Sequence, residues 1–284
     1  MALSIDFPKP DFEFPSRIPL LAVKHKPWTK EDAEDMARRL EVRGDVAHAG
    51  LWLIARDERS VLELYQASQS FRYSRTDLDA EGRQGSDEKP DEGAARRLAE
   101  QWLDPFLRPL GRPEFSSVTM QEALISTSPD EVPRVGYVAV DVNFRYTVDG
   151  IPLLGPGAKA KVSIHAGGVV GGGYRFWRDV SPARDVETLP LETLFERFRS
   201  SSLFANLTDR VARAEVRSIR LGHLTIPPTE PMSMLIPALE LRGTISTERL
   251  PNYEFVRHIA AIALDDDRGK EGGLINARPS LLLA

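Results

Sequence analysis

Three polar side chains on two predicted strands are of the types that bind polar ligands or transfer protons. Asp141 lies in the run VAVDVNF, and on an alternating strand it shares one face with Asn143 and Arg145. His165 ends a later strand. If this face lines a pocket, Asp141, Arg145 and His165 are candidate ligand-binding residues, with Asp141 and Arg145 as base and anchor. If the face is solvated, which is the commoner case for such charges, they have no further role.

A second candidate is an aromatic and basic cluster that directly follows three glycines. Tyr174 and Phe176 share one face of the predicted strand, and Arg175 shares the other with Trp177. Aromatic residues and arginine often contribute most of the binding energy of a protein interface. We therefore predict Tyr174, Arg175 and Trp177 as partner-binding residues. The alternative is a strand that is half core and half surface.

The sequence contains no pattern for a nucleophile, a metal or a phosphate. It has no cysteine, and none of its five histidines lies at helical ligand spacing from another. The glycine-rich runs at 155–157 and 171–173 lack the lysine and hydroxyl residue of a P-loop. Asp265, Asp266 and Asp267 suit a hard cation, but a solvated acidic turn is the more common meaning of such a run. We predict no catalytic residue, no metal and no cofactor.

The central stretch 138–180 predicts the elements that position these residues. Apolar and polar side chains alternate there with the period of a half-buried strand. Asp149-Gly150 and Gly167-Gly168 are typical of hairpin turns. We predict one continuous antiparallel sheet from these strands: Val138–Thr147, Ile151–Leu154, Ala158–His165 and Val169–Trp177.

The segments before this stretch predict an arm, a helix and a hairpin. Residues 1–28 are rich in proline, which opposes helix and central strand, so we expect an extended arm with its phenylalanines on the folded body. A capping-box start at Thr29 opens a helix, and Gly44 is its expected stop. Two apolar runs, Ala49–Ala55 and Ser60–Ala67, then predict a hairpin. Residues 74–93 are charged or small, which indicates a solvated loop.

Helices and strands alternate again in the rest of the chain. Helical spacing of apolar residues covers 92–110, with Pro105 as a kink or break. The other predicted elements are a strand at Glu114–Ser126, helices at Leu189–Ser200 and Phe204–Ala214, and strands at Glu215–Ile226, Met234–Ser246 and Tyr253–Leu264.

This order predicts an α+β fold built from repeated helix-on-antiparallel-sheet units. We divide the chain into an arm (1–28), a helix-plus-hairpin unit ending in the charged loop (29–90), a central helix-plus-sheet unit (91–187), a second such unit (188–266) and a tail (267–284).

Composition excludes several classes of function. The chain has 284 residues and a formal net charge of −5, which argues against a nucleic-acid partner. No apolar run is long enough to span a membrane, and the first residues do not resemble a signal peptide. We expect a cytoplasmic protein, or an extracytoplasmic one if a leader has been removed.

Parts of the chain resemble known families. One stretch reads DGIPLLGPGAKAKVSIHAGGVV and resembles the glycine-proline pattern of PepSY-like domains and of the thermolysin-type propeptide module. The matching positions are Gly150, Ile151, Pro152, Leu153, Gly155, Val162, Ile164, Gly168 and Val169. An earlier stretch, WTKEDAEDMARRLEVRG, resembles the helix that precedes the sheet in those proteins.

A late stretch is similar to extracytoplasmic bacterial regulators of a cell-wall-sensing histidine kinase. The matching positions are Leu235, Ile236, Pro237, Leu239, Leu241 and Gly243. Together these resemblances imply a repeated cystatin-like, PepSY-like fold, and binding, inhibition or chaperoning of another protein without catalysis. The relatives usually carry an export signal or a membrane anchor, and we expect neither among the residues of this sequence.

Three functions remain open at this point. The first is a non-catalytic protein-binding or regulatory module that presents a sheet face, or a loop such as Ile226–Pro231, to a protein partner. The second is an enzyme or small-ligand binder with a pocket between sheet and helices. The third is a structural subunit, such as a homo-oligomer, that assembles through its sheet edges.

Overall fold

A computed structural model describes residues 5–81, 91–106, 113–125, 134–201, 211–247 and 253–263. The helices are α1 Lys30–Arg39, α2 Thr76–Glu81, α3 Glu92–Leu103 and α4 Leu191–Arg199. The strands are β1 Ile5–Asp6, β2 Arg17–Val23, β3 Ala47–Ala49, β4 Trp52–Arg56, β5 Ser60–Tyr65, β6 Ser70–Arg75, β7 Glu114–Ile125, β8 Arg134–Arg145, β9 Thr147–Val148, β10 Ile151–Leu154, β11 Lys159–His165, β12 Val169–Phe176, β13 Val180–Glu187, β14 Val211–Leu224, β15 Met234–Thr247 and β16 Tyr253–Ala260.

The strands form two eight-stranded sheets. Sheet I has the order β3-β4-β5-β6-β12-β11-β8-β7 and is antiparallel throughout. Sheet II has the order β13-β2-β15-β14-β10-β9, with β1 also on β14 and β16 also on β15. Its pairs are antiparallel except that β1 and β10 run parallel to β14. The predicted α+β character with antiparallel sheets is therefore confirmed.

Sheet I consists of two halves with the same order of elements. The first half is α1 followed by β3, β4, β5 and β6, and the second is α3 followed by β7, β8, β11 and β12. The last strands of the two halves, β6 and β12, pair antiparallel at the middle of the sheet. The short hairpin β9–β10 interrupts the second half and belongs to sheet II.

The start of α1 is fixed by the predicted capping box. The Thr29 side chain accepts from the Asp32 amide at 3.1 Å, and the Asp32 carboxylate accepts from the Thr29 amide at 3.1 Å. The hydrogen bonds that the Asp32 carboxylate accepts from the backbone amide and the hydroxyl of Thr29 hold the pKa of Asp32 below its usual value. The helix ends before Gly44, because Glu41 adopts a left-handed φ of 59°. Gly44 has a different role: a Cβ there would meet the Arg56 carbonyl oxygen at 1.7 Å.

The helices α1 and α3 cover one face of sheet I. The predicted apolar face of α1 is buried and packs with residues of β4, β5 and β6: Ala33, Met36, Ala37 and Leu40. The helix α3 packs with Val140, Val142 and Val162 of β8 and β11. Its break at Pro105 is a short 3-10 turn that buries Phe106.

The predicted N-terminal arm contains a strand of sheet II. Phe7, Phe12 and Phe14 pack on the core under α4, and Phe7 stacks on Phe195 at 4.2 Å between ring centroids. The arm is not extended coil throughout, because Arg17–Val23 pairs with β13 and β15. Proline is tolerated here since Pro19 lies beyond the two residues that pair with β15.

The prediction of one continuous sheet over 138–177 is wrong for Ile151–Leu154. The turns are as predicted, with positive φ at both Asp149 and Gly150 and at both Gly167 and Gly168. However, β10 pairs in parallel with β14 of sheet II, with Leu153 opposite His223. A close backbone approach permits this pairing, because a Cβ at position 222 would meet the Pro152 carbonyl oxygen at 2.4 Å.

Other boundaries also differ from the predictions. The expected loop 74–93 begins with the end of β6 and with α2, and residues 82–90 lie outside the described residues. The expected helix Phe204–Ala214 is wrong at its end, where Val211 begins β14; residues 202–210 are not described. The strand β13 has no counterpart among the predictions. The tail from residue 264 lies outside the described part of the chain, including Asp265, Asp266 and Asp267.

No helix among the described residues has the length and apolar character needed to cross a bilayer.

A buried histidine lies in sheet II between β10 and β15. His223 is 1% exposed, and its Nε2 atom is 2.7 Å from the Pro19 carbonyl oxygen. Since a carbonyl only accepts, Nε2 carries the hydrogen of the neutral ring. The Nδ1 atom has no hydrogen-bond partner among the described residues. Burial lowers the pKa of His223, and the bond to Pro19 opposes this effect only in part.

We expect His223 to make the fold less stable in mild acid. Below about pH 6.5 the unfolded chain binds a proton that the buried ring resists, so the free energy of unfolding falls as the pH falls. His223→Gln keeps an amide donor for Pro19 and loses the titration. Urea unfolding between pH 7.5 and 5 should therefore show a smaller loss of stability for His223→Gln than for the wild type. Equal slopes would contradict this role, since the other four histidines are common to both proteins.

The helix α1 provides a test of one-sided burial. Leu40 is 8% exposed and packs in the core between α1 and sheet I, so Leu40→Ala should lower the free energy of unfolding by about 2–5 kcal/mol. The neighbouring Arg39 is exposed, and Arg39→Ala should cost less than about 1 kcal/mol. Chemical denaturation measures both, and equal small losses would place the helix face in solvent.

Candidate functional site

The face of sheet I opposite α1 and α3 is the surface that carries the sequence candidates. Strand alternation places Asp141, Lys161, Tyr174 and Arg72 on this face, while Val142 and its equivalents point to the helices. Most side chains on the outer face are exposed or half-exposed. We call it the open face.

Asp141 is the most enclosed charged group on the open face. It is 8% exposed and accepts hydrogen bonds from Gln121 Nε2 at 2.8 Å, Lys161 Nζ at 2.8 Å and Ser163 Oγ at 2.5 Å. These donors come from the two strands that flank β8, with Gln121 on β7 and the other two on β11. The carboxylate is thus neutralised by the lysine and engaged by the amide and the hydroxyl.

The structure places Arg145 and His165 on the same face as Asp141 but with different neighbours. Arg145 pairs with Glu114 at 3.1 Å, and Glu114 also accepts from Thr147 at 2.7 Å. Four residues along a strand separate Arg145 from Asp141, a distance of about 13 Å between Cα atoms. The ring of His165 lies against Gly171, where a Cβ would be 2.2 Å from it. The predicted ligand-binding set is therefore spread along the sheet.

Four aromatic side chains form a continuous band on the open face, the aromatic band. Trp52 meets Tyr65 edge-on at 6.0 Å, Tyr65 meets Phe176 edge-on at 5.6 Å, and Phe176 stacks on Tyr174 at 4.3 Å. Tyr65 is 7% exposed, and the other three rings are half-exposed.

A small residue on β6 permits the contact between the rings of Tyr65 and Phe176. Tyr65 lies on β5 and Phe176 on β12, with β6 between them, so their backbones are about 10 Å apart. The residue of β6 opposite Tyr65 is Ser70, and it is fully buried. A large side chain at position 70 would separate the two rings.

Arg175 and Trp177, two of the predicted partner-binding residues, lie on the buried side of sheet I. Arg175 is 3% exposed and donates to the carbonyls of Phe106, at 2.7 Å, and Gln69. Trp177 is fully buried and stacks on Tyr146 at 5.2 Å. Of the three predicted residues, only Tyr174 lies on the open face, together with Phe176.

Basic side chains surround the exposed end of the aromatic band. Lys159 and Lys161 lie 5.8 and 5.9 Å from the centre of the Tyr174 ring, and Arg72 is opposite Tyr174 on β6. Burial raises the pKa of Tyr174, and the negative charge of Asp141 adds to this effect. Tyr174 is therefore a neutral hydroxyl at physiological pH.

The first half of sheet I contributes residues to this surface that were not predicted from the sequence. Trp52, Tyr65 and Arg72 were not among the candidate residues. Trp52 and Tyr65 do fall within the two runs predicted as a hairpin, and their alternation with Leu53 and Leu64 was a usable signal. No such signal was present for Arg72, because no strand was predicted over Ser70–Arg75.

Sheet II carries a second enclosed carboxylate on one face. Glu240 is 4% exposed and contacts Arg242 at 2.7 Å, His258 at 3.2 Å and Arg220 at 3.6 Å. Burial alone would raise the pKa of Glu240, but the hydrogen bonds from His258 and Arg242 outweigh it and lower that pKa to about 2. This group is a closed ion-pair network that links β14, β15 and β16.

Within the described ranges no three histidine, aspartate or glutamate side chains are grouped so that they could hold a metal ion. An open depression at the end of α1 is lined by Glu34, Ala37, Arg38 and the residues from Glu41 to Val46, on the helix side of sheet I. It does not include Asp141, Arg145 or His165.

The enclosure of Asp141 predicts strong coupling to Lys161. We expect a double-mutant cycle of Asp141→Asn and Lys161→Gln, read by urea unfolding, to give a coupling energy of about 1–3 kcal/mol. The exposed pair Arg145–Glu114 on the same face is the matched control, and it should couple by less than about 1 kcal/mol. Equal coupling in the two cycles would show that Asp141 is effectively solvated.

Comparisons with known proteins give a fold-level likeness. No protein-family model matches the chain, and no curated protein matches it. Among solved structures, an uncharacterized protein from Eubacterium rectale ATCC 33656 is similar with a TM-score of 0.50 at 9% sequence identity. The alignment covers 87% of this chain and 85% of that protein. At this identity the likeness concerns the fold alone, which the two chains share over most of their length.

Proposed function

We propose that this chain is a non-catalytic protein-binding module that presents the open face of sheet I to a partner protein. The observation that carries the proposal is the aromatic band, whose rings Trp52, Tyr174 and Phe176 remain half-exposed on that face. Aromatic side chains bury a large area with little loss of conformational freedom, and they dominate the energetics of protein interfaces.

The surroundings of the band support binding by a flat surface. The rings are already fixed by mutual contacts between 4.3 and 6.0 Å, so little side-chain entropy is lost when a partner covers them. Polar and charged groups surround them, including Arg72, Lys161 and Asp141. An apolar centre with a polar rim is the usual anatomy of a protein interface.

The polar groups on the face support a binding function more than a catalytic one. A general base needs a free carboxylate within hydrogen-bond reach of its substrate. Asp141 is engaged by three donors, and Arg145 is paired with Glu114 about 13 Å along the strand. The enzyme alternative therefore has less support than the binding alternative.

We extend the proposal to the finer class of fold, a pair of cystatin-like, PepSY-like helix-on-sheet units with a regulatory or inhibitory role. The order of one helix followed by four antiparallel strands, which occurs twice in sheet I, supports it. So does the capping-box helix over Thr29–Arg39, which opens the first unit as in the families that the sequence resembles.

A second candidate function, assembly of identical subunits through sheet edges, has one specific observation in its favour. The edge strand β7 spans twelve residues, and its end carries Leu124, 75% exposed, directly opposite Val135, 52% exposed. An exposed edge with apolar side chains is a template for strand pairing. Light scattering at 10–200 µM would detect such assembly, and Leu124→Lys should abolish it if the edge is responsible.

The binding proposal is tested by a matched pair of tyrosine variants. The wild type, Tyr174→Ala and Tyr253→Ala are used as bait in the native host, and proteins retained by the wild type are purified and titrated against all three baits. Tyr253 is 57% exposed on β16 of sheet II and serves as the control. We expect Tyr174→Ala to weaken binding at least tenfold, about 1.4 kcal/mol or more, and Tyr253→Ala to leave it unchanged.

Thermal melts must show that Tyr174→Ala remains folded at the assay temperature. If the purified partner binds Tyr174→Ala and Phe176→Ala as tightly as it binds the wild type, the open face is not the interface and the proposal is wrong.

A further inference from the structure

We infer that the partner segment recognised by the open face is acidic, with an apolar side chain on the aromatic band and carboxylates on Arg72 and Lys159. The inference rests on the proposed protein-binding function and adds the chemical class of the partner. Its basis is that some of the cations around Tyr174 form ion pairs within the fold, whereas others do not.

Two of the cations near the band already have an anionic partner within the fold. Lys161 pairs with Asp141 at 2.8 Å, and Arg145 pairs with Glu114 at 3.1 Å. Their positive charge is therefore balanced locally, and they add little net attraction for a ligand.

Arg72 and Lys159 are different, because both are exposed and neither forms an ion pair with the described residues. Glu63 lies directly opposite Arg72, but the two side chains form no ion pair, and the Glu63 carboxylate instead accepts a hydrogen bond from the Tyr65 hydroxyl at 2.9 Å. Lys159 contacts only the face of the Tyr174 ring, at 5.8 Å. Beside the stacked rings the open face thus presents two cations that form no ion pair with the described residues, although the whole chain has a formal net charge of −5.

The two cations flank the stacked rings. Arg72 on β6 is opposite Tyr174, and Lys159 on β11 is opposite Phe176, while β12 with both rings runs between them. Two strand spacings and an offset of two residues along the strands separate Arg72 from Lys159, about 12 Å in all. Four residues of extended chain span about the same distance, and residues four positions apart lie on the same face. A segment with two acidic residues four positions apart can therefore reach both cations and place the apolar residue midway between them on the band.

A single-stranded nucleic acid is the main competing ligand, because it also combines anionic groups with rings that stack on aromatic side chains. The charges on the face favour the acidic protein segment. Nucleic-acid grooves provide a series of free cations along the phosphates. Here only Arg72 and Lys159 lie beside the stacked rings without an ion pair to a described residue, and the carboxylates of Asp141 and Glu63 lie near them.

The test uses capped peptides of one length and a nucleic-acid probe. The acidic peptide is Gly-Glu-Ser-Trp-Ser-Glu-Gly, in which both glutamates and the tryptophan share one face when the chain is extended. Its neutral twin has Gln for Glu, its basic twin has Lys for Glu, and the nucleic acid is a deoxythymidine hexamer. Each is titrated into the full-length protein labelled with ¹⁵N, and amide shifts are followed at 50 and 300 mM NaCl. We expect the acidic peptide to bind most tightly, to shift residues of β6, β11 and β12, and to weaken at the higher salt concentration.

Variants that remove the positive charges test which side chains bind the acidic peptide. The double variant Arg72→Gln, Lys159→Gln should weaken the acidic peptide about fivefold or more and leave the neutral peptide unchanged. Arg97→Gln is the control, because Arg97 is an exposed arginine on α3, on the opposite side of sheet I.

The outcomes separate this inference from the proposed function. If the acidic and neutral peptides bind equally and both are lost in Tyr174→Ala, the open face binds protein but the acidic specificity is wrong. If no peptide binds the wild type at millimolar concentration, or if the basic peptide binds best, the inference is also overturned. If the deoxythymidine hexamer binds more tightly than the acidic peptide and the double variant abolishes this, the ligand is a nucleic acid and both proposals fail.

Discussion

A buried arginine connects the two sheets, and the rest of the architecture depends on its hydrogen bonds. Arg178 is 1% exposed and donates to the carbonyls of Ile226 and Pro227 at 3.0 Å and of Glu230 at 2.6 Å. It follows the last strand of sheet I, whereas those carbonyls belong to the loop between β14 and β15 of sheet II. Burial lowers the pKa of Arg178 to about 10, so the guanidinium keeps its charge at neutral pH. A buried charge must be bonded, and this requirement fixes the loop against the end of β12.

The residues just before Arg178 determine which side of sheet I is core. Arg175 donates to Phe106 and Gln69, so it ties β12 to the end of the α3 segment and to the β5–β6 turn. Trp177 fills the core on Tyr146, and its carbonyl oxygen accepts from Ser70 at 3.4 Å. Since side chains alternate along a strand, burying Arg175 and Trp177 forces Tyr174 and Phe176 to the opposite face. The half-exposed rings are therefore a consequence of the same packing that joins the sheets.

The two-half organisation of sheet I explains why an open face exists. Each half contributes one helix, α1 or α3, and both helices pack on the same side. Because β6 and β12 pair at the centre, the outer surfaces of both halves join into one face eight strands wide. The aromatic band crosses this joint, since Trp52 and Tyr65 come from the first half and Tyr174 and Phe176 from the second. The surface therefore requires both halves.

Local chemistry in the sequence determined much of the secondary structure. The capping box at Thr29, the alternation over 138–147 and 159–176, and the two glycine turns depend on neighbouring residues only, and the structure has each of them.

Tertiary structure decided the rest. The period-two pattern shows that Tyr174 and Arg175 lie on opposite faces of the strand. It does not show which of the two faces is buried in the core. Similarly, the pairing of β10 with β14 and of β2 with β13 joins segments far apart in the chain, where the energy of pairing depends on contacts that no local pattern contains. For the same reason, the aromatic band, and the position of Arg72 and Lys159 on either side of it, depend on strands that are distant in the sequence.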